Sequence, residues 1–179
     1  QHSGEGKANQ YFLRGMNLDH GTDFSAYFLG MPVNMRAHAH GQGYLDLNFL
    51  IPEIISTVRF AKGPYYADRG DFSTAGTTSF DLYDRVDSPF LKLESGSDSY
   101  LRALGVGSFD TTSGHVLSAL EIMRNDGPWS LPANIKKTNF MTQYSGRFRD
   151  IEFKGALTVY DNQWQATDQI PKREIVRGA

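Results

Sequence analysis

The sequence contains no cysteine, so disulfide frameworks and thiolate metal sites are excluded. That absence is compatible with many cellular compartments. No run of about 18 apolar residues occurs, and the sequence therefore predicts no transmembrane helix. A transmembrane β-strand needs only about 10 residues of alternating character, and the sequence does not exclude that kind of span.

Signatures of catalysis and of nucleic-acid binding are missing as well. The chain has no G-x-S-x-G, H-E-x-x-H or P-loop motif, and the segment from Gly105 to Gly107 lacks the third glycine of a dinucleotide-binding loop. The net charge of −2 over 179 residues gives no basic footprint for nucleic acid. We therefore expect a protein that is not an enzyme, uses no cofactor and binds no nucleic acid.

What the sequence does contain is two regions with different patterning. From about residue 10 to residue 83, short apolar runs are broken by Gly and Pro, which predicts short strands and turns. From about residue 88 to residue 166, longer runs alternate between apolar and polar residues, which predicts antiparallel strands. The polar segment that ends in Pro89 marks the boundary. The predicted fold class is mainly β.

Short helices are expected between the strands of the first region. In the segment from Leu50 to Ile55, Pro52 suits a first helical position and Glu53 suits a first helical turn. Gly70 is expected to end a second helical turn. Strands are predicted around them, at residues 26–29, 58–61 and 77–82.

The strands of the second region have two unlike faces. Near the end of the chain, Phe153, Leu157 and Val159 share one face, while the alternate positions are mixed to polar. A strand between lipid and a watery lumen needs this pattern. A soluble antiparallel sheet with one wet face produces it too, and patterning alone favours the soluble sheet because such sheets are commoner.

The sharpest local feature is the pair His38 and His40, which are separated by one residue. Two imidazoles at i and i+2 on an extended segment point the same way, as a metal or a polar ligand would require. Gly41 and Gly43 favour a flexible polar loop instead, and zinc would need more ligands than this segment supplies. A metal hydrolase that uses both histidines and Asp46 is one alternative. No metal site is firmly assigned.

Trp129 and Trp164 are the two tryptophans of the chain. Each is compatible with an aromatic girdle at a bilayer interface, with a protein core or with a position that stacks on a ligand. The sequence does not separate these roles.

Four segments, taken in order, resemble the plug domain of TonB-dependent outer-membrane receptors. Residues 12–15 resemble the strand with the Arg-Gly pair, and residues 29–34 resemble the D-G-V-P-V-N turn with Leu29 in place of Asp. Residues 61–64 resemble the R-G-P segment, and residues 75–80 stand where G-G-V-I-N precedes the barrel. Residues 126–129 and 168–171 resemble segments of one subgroup of these receptors, so the resemblance covers nearly the whole chain, and it reverses the preference for a soluble sheet.

The chain also departs from the family. Residues 57–59 read Thr-Val-Arg where many plugs have Arg-Ile-Glu, so a plug–barrel ion pair that depends on that Arg and Glu is not carried over.

The resemblance implies a division of the chain at residue 84. Residues 1–84 would be the later part of the plug domain, an α+β unit with short helices. Residues 85–179 would be the first antiparallel strands of a transmembrane β-barrel. A full barrel of this family has about 22 strands, and about 90 residues supply about four or five of them. The TonB box, the early plug and most of the barrel are expected to lie outside this sequence.

The function implied by the resemblance is TonB-dependent active import of a scarce nutrient across the Gram-negative outer membrane. The cargo would be a metal complex such as an iron–siderophore, and the two histidines favour that class. The implied partners are TonB with ExbB and ExbD of the inner membrane, the substrate, and outer-membrane lipid. The alternative is a soluble β-rich module that binds a ligand such as a sugar.

In related receptors the loop after the D-G-V-P-V-N turn reaches the ligand. That loop spans residues 36–44 here, and the resemblance makes its side chains the predicted substrate contacts: Arg36, His38, His40, Gln42 and Tyr44. Trp129 and Trp164 are the additional candidates, as ligand-binding or interfacial aromatics.

Overall fold

A computed structural model describes residues 8–18, 21–39, 41–166 and 173. Within them the chain is mainly β. The strands, in chain order, are β1 (Phe12–Leu13), β2 (Met16–Asn17), β3 (Phe24–Phe28), β4 (Met31–Pro32), β5 (Ile55–Lys62), β6 (Gly76–Leu82), β7 (Phe90–Ser95), β8 (Leu101–Thr111), β9 (Gly114–Asn125), β10 (Ile135–Phe148) and β11 (Ile151–Gln163). No helix in the described part of the chain is long and apolar enough to cross a membrane.

The first region is built on a four-stranded mixed sheet with the order β4-β3-β6-β5. β3 and β6 are parallel, and the other two pairs are antiparallel. The small hairpin of β1 and β2 lies outside this sheet. The strands predicted at residues 58–61 and 77–82 are confirmed as parts of β5 and β6. The strand predicted at residues 26–29 is confirmed as part of β3 up to Phe28, and Leu29 lies in the following turn with a φ of 50°.

The helices expected in this region are single 3-10 turns. Pro52 begins the first turn, Pro52–Ile54, with Glu53 beside it as predicted. The turn does not extend, because Ile55 already has an extended ψ of 118° and begins β5, the conformation that β-branched residues favour. The second turn, Ala67–Arg69, ends at Gly70, whose φ of 59° is one that glycine adopts readily.

The second region is an antiparallel meander in which each of β7 to β11 pairs with the next strand. Two-residue turns at 112–113 and 149–150 join β8 to β9 and β10 to β11. Longer loops at 96–100 and 126–134 join the other pairs. The short turns therefore lie at one end of the meander, and the longer loops lie at the opposite end, which we call the long-loop end.

The register of the meander creates two unlike faces, because directly paired residues point to the same side of a sheet. Val159 pairs with Phe140 and Leu157 pairs with Thr142, so they share what we call the outward face. The predicted common face of Phe153, Leu157 and Val159 is confirmed. Large apolar side chains are exposed there on β7, β8, β9 and β11: Leu91, Leu93, Leu101, Phe109, Leu120, Ile122, Ile151, Phe153, Leu157 and Val159.

The opposite, inward face of the meander packs on the four-stranded sheet. The buried cluster between them takes Phe28, Ile51, Ile54 and Leu82 from the first region, and Leu104, Val106, Leu117, Ala119 and Met141 from the meander. A second cluster lies within the first region and contains Leu18, Phe24, Ala26, Leu45 and Ala75. The main core therefore lies between the two sheets, while the apolar outward face stays uncovered by any described residue.

Candidate substrate-binding loop and charged seam

The loop at residues 36–44 is anchored by one half-buried amide side chain, that of Asn34. The Nδ2 atom of Asn34 donates to the backbone oxygens of Gly21, Phe24 and Gly43 at 3.2, 3.0 and 2.9 Å. Its Oδ1 atom accepts a hydrogen bond from the backbone nitrogen of Ala26 at 2.8 Å. The Nδ2 atom carries two hydrogens, which the three backbone oxygens share, and the side chain thus fixes the end of the loop against β3.

Two of the predicted contacts, His38 and Tyr44, are brought together. Their rings stack with centroids 4.0 Å apart and an interplanar angle of 13°. His38 is exposed and Tyr44 is half-buried. The backbone nitrogen of Met35 donates to the oxygen of Tyr44 at 2.9 Å and closes the loop. A flat imidazole on a half-buried ring offers an exposed stacking surface in this loop.

Two of the other predicted loop contacts, Arg36 and Gln42, are exposed side chains of the same loop. Arg36 forms an ion pair with Asp71 at 3.6 Å. His40 lies outside the described residues, so its part in the loop stays a prediction. Among the residues that are described, no group of three or more His, Asp or Glu side chains could hold a metal ion.

Both tryptophans lie at the long-loop end. Trp129 is exposed in the loop at 126–134, and Trp164 directly follows β11. The backbone nitrogen of Gln165 donates to the oxygen of Ala133 at 2.7 Å, which holds the end of β11 against that loop. The structure thus brings the two tryptophans to one rim of the meander and keeps them out of the core.

Six charged side chains join the first region to the inward face, and we call this network the charged seam. Its members are Glu53 of the first 3-10 turn, Lys92 and Glu94 of β7, Arg102 of β8, Glu121 of β9 and Lys137 of β10.

Arg102 is the centre of the seam. Its Nη1 and Nη2 atoms donate to the two carboxylate oxygens of Glu53 at 2.6 and 2.8 Å, a bidentate arrangement. Its Nε atom donates to Glu121 at 2.6 Å, and Nη1 also donates to Glu94 at 2.8 Å. One guanidinium therefore ties two strands of the meander and the 3-10 turn of the first region together.

The positive and negative charges of the seam are equal in number only when Glu53 lies against Arg102 and Lys92. Its three cations match three carboxylates, and the members from the meander alone carry one excess positive charge. Hydrogen bonds from Arg102, with help from Lys92, lower the pKa of Glu53 to about 2. Glu121 is only 2% exposed, and a carboxylate at that depth is stable only when it is paired, as it is here with Arg102 and Lys137.

Neutral and charged contacts continue the junction toward the short-turn end. Asn139 donates through Nδ2 to the backbone oxygen of Phe49. Gln143 donates through Nε2 to the backbone oxygen of Tyr83 at 3.1 Å. The ammonium group of Lys154 lies 2.6 Å from the carboxylate of Asp84, and this contact lowers the pKa of Asp84. The first region is therefore held along the strands by separate polar contacts as well as by the core.

A cleft of about 440 Å³ opens beside the charged seam, between residues 47–55 and the inward face. Its lining combines apolar and polar side chains, including Leu47, Asn48, Leu50, Tyr100, Met123 and Lys137. A mostly apolar hollow with a few polar groups is the usual form of a small-molecule site.

Sequence patterning did not identify Arg102 or Glu121. One signal was present, because Glu121 follows Leu117 and Ala119 at the same alternating positions, and a charge in an apolar series indicates a buried partner. The partner Glu53 lies in a different region of the chain, and no local pattern connects it to either residue.

Searches against protein-family models and against curated protein sequences found no match to this chain.

Proposed function

We propose that this chain belongs to a TonB-dependent outer-membrane receptor. Residues 1–84 are the later part of its plug domain, and residues 85–179 are the first strands of its transmembrane β-barrel. The complete receptor imports a scarce nutrient, in this proposal a metal complex such as an iron–siderophore. TonB, ExbB and ExbD supply the energy from the inner membrane.

The observation that supports the proposal most strongly is the chemistry of the outward face. By the strand register, only three charged residues occupy outward positions in β7 to β11: Arg124, Lys136 and Asp161. All three are at or near the long-loop end. Within the apolar part, the hydroxyls of Ser118 and Thr142 bond to each other at 2.9 Å, as polar groups must where lipid offers no partner.

The lengths of the connections support the same proposal. Outer-membrane barrels have short turns on the periplasmic side and longer loops on the extracellular side. The meander alternates between two-residue turns and loops of five and nine residues in that way (96–100 and 126–134). The long-loop end would then be extracellular, and the cleft beside the charged seam would open toward the cargo.

A labelling experiment tests this placement. This part of the receptor has no cysteine, so Leu157→Cys and Thr158→Cys each give it one thiol for a nitroxide label, once any cysteine elsewhere in the receptor is replaced by Ser. In the complete receptor in lipid vesicles, we expect the label at 157 to be reached by oxygen dissolved in lipid and not by a water-soluble nickel chelate. The label at 158 should face the lumen and serves as the matched control. Water contact at 157 would overturn the proposal.

The transport part of the proposal has its own test. Cells that carry the complete receptor should take up radiolabelled ferric siderophores from a panel, and deletion of TonB should abolish that uptake. Uptake that is independent of TonB would contradict an active importer.

The core shared by the two regions favours a second candidate, a soluble β-rich module that binds a ligand such as a sugar. A soluble module would bury its apolar residues between its sheets, as nine residues are buried here. It would not leave residues such as Leu157 57% exposed on a second apolar face. The labelling experiment separates the two candidates, because only the module predicts water at position 157.

A further inference from the structure

Two cations stand directly opposite each other on the outward face. Arg124 of β9 and Lys136 of β10 are a direct pair in the ladder, and both are exposed. Arg124 is the second-to-last residue of its strand, and Lys136 is the second residue of the next, so the pair lies at the long-loop end. Like charges placed directly opposite each other in a sheet repel, and a negatively charged group bound between them would remove that repulsion.

No residue in the described part of the chain supplies that partner. The inward cations Arg102 and Lys137 both lie within 3.1 Å of a carboxylate, whereas neither Arg124 nor Lys136 forms an ion pair with a described residue. The outward carboxylate of Asp161 is opposite Thr138 and accepts a hydrogen bond from its own strand neighbour Gln163 at 3.5 Å. The outward rim thus carries an excess of positive charge.

The pair lies where the apolar surface ends. Along β9, the outward residues Val116, Leu120 and Ile122 precede Arg124. The strand has 12 residues, and a tilted strand crosses the hydrocarbon layer in about 9–11 residues. If the meander spans a bilayer, Arg124 and Lys136 lie at its boundary, where long basic side chains extend to the headgroups.

We propose that Arg124 and Lys136 form a binding site for the phosphate of a lipid headgroup. The site rests on the proposed function, because it requires the outward face to lie in a membrane. The planar guanidinium of Arg124 would bind two phosphate oxygens, and the ammonium of Lys136 adds a second positive charge beside it. The bound phosphate removes the repulsion between the two cations.

The test compares two lipids that differ only in phosphate. The complete receptor in mild detergent is titrated with lipid A and with dephosphorylated lipid A, and bound lipid is counted by native mass spectrometry. Wild type should prefer the phosphorylated lipid, and the double variant Arg124→Gln/Lys136→Gln should lose at least about tenfold of that preference. Asp161→Asn is the matched control, and it should keep or strengthen the preference.

Three results would overturn the site. The double variant could retain as much lipid A as wild type, or it could lose dephosphorylated lipid A to the same extent as lipid A. The third result is binding of inorganic phosphate that depends on Arg124 and Lys136 as strongly as lipid A binding does. The single variant Lys136→Gln gives the same readout if the double variant does not fold. If the nitroxide label at position 157 lies in lipid but the double variant retains as much lipid A as wild type, this site alone is overturned. A label in water would overturn the proposed function.

Discussion

The two regions of this chain reach their shapes by different means. The strands of the first region have two to eight residues, and single side chains such as Asn34 fix the long connections between them. The meander has strands of up to 14 residues, which continuous ladders hold in register. The shape of the first region therefore depends on hydrogen bonds made by individual side chains. The shape of the meander depends on the backbone hydrogen bonds of its ladders and on the environment of its two faces.

The largest expected effect concerns the contact between the regions. Arg102→Met removes the centre of the charged seam and leaves the buried Glu121 with Lys137 as its remaining charge partner. We expect the free energy of unfolding to fall by up to about 3–5 kcal/mol, because the buried Glu121 loses one of its two charge partners and Glu53 loses its bidentate partner. Denaturant unfolding of the complete receptor in detergent measures this loss.

The control for that change is Arg59→Met. Arg59 pairs with Asp81 at 2.5 Å on an exposed surface of the first region, and such pairs contribute about 0–1 kcal/mol. Equal losses from the two variants would show that the charged seam does not hold the regions together.

The second prediction concerns the environment of the meander. Leu157→Arg places a charge on the outward face, and in a bilayer we expect a loss of about 2–4 kcal/mol in folding free energy. Thr158→Arg points inward on the same strand and should cost clearly less. Folding titrations in vesicles provide the comparison, and a Leu157→Arg cost within about 0.5 kcal/mol would indicate a water-exposed surface.

The third prediction is a pH dependence at the junction. The pKa of Glu53 in the folded protein is about 2, below its ordinary value of 4.5. Its contribution is therefore complete above about pH 4.5 and is lost as the pH falls toward about 2. The difference in unfolding free energy between wild type and Glu53→Gln should shrink over that window. A difference that stays constant across it would contradict the assigned role of Glu53.

The smallest effect on stability is expected at the loop, where the effect on cargo should be specific. His38→Ala should leave the unfolding free energy nearly unchanged because His38 is exposed, and we expect the same of His40→Ala from its place in the same loop of the sequence. We expect both variants to weaken binding and uptake of the ferric siderophore that the receptor transports. Tyr65→Ala, which removes another exposed aromatic of the first region, is the control. Unchanged affinity in both histidine variants would remove this loop from the binding site.

Local patterning predicted most of the strands, because alternation and turn residues act over short distances. The shared face of Phe153, Leu157 and Val159 followed from alternation alone. The parallel pairing of β3 with β6 could not be predicted, since it depends on contacts across a connection of about 50 residues. The helix expected at Pro52 is a single 3-10 turn, because Ile55 pairs with Leu82 as the first residue of β5.

The candidate site was predictable only in part. The position of the loop at residues 36–44 came from the resemblance, and the stacking of His38 on Tyr44 needed three-dimensional structure. The bidentate contact of Arg102 with Glu53 was out of reach, because a charge pair between distant segments leaves no periodic trace in the sequence.

The loop at residues 126–134 also makes this chain a practical carrier for foreign peptides. Its middle, around Ser130 and Leu131, is exposed, and its ends are fastened by the backbone bond of Ala133 to Asp126 at 2.6 Å. An epitope spliced there would leave the ladder of β9 and β10 intact, and in the proposed orientation it would be displayed to antibodies on whole cells.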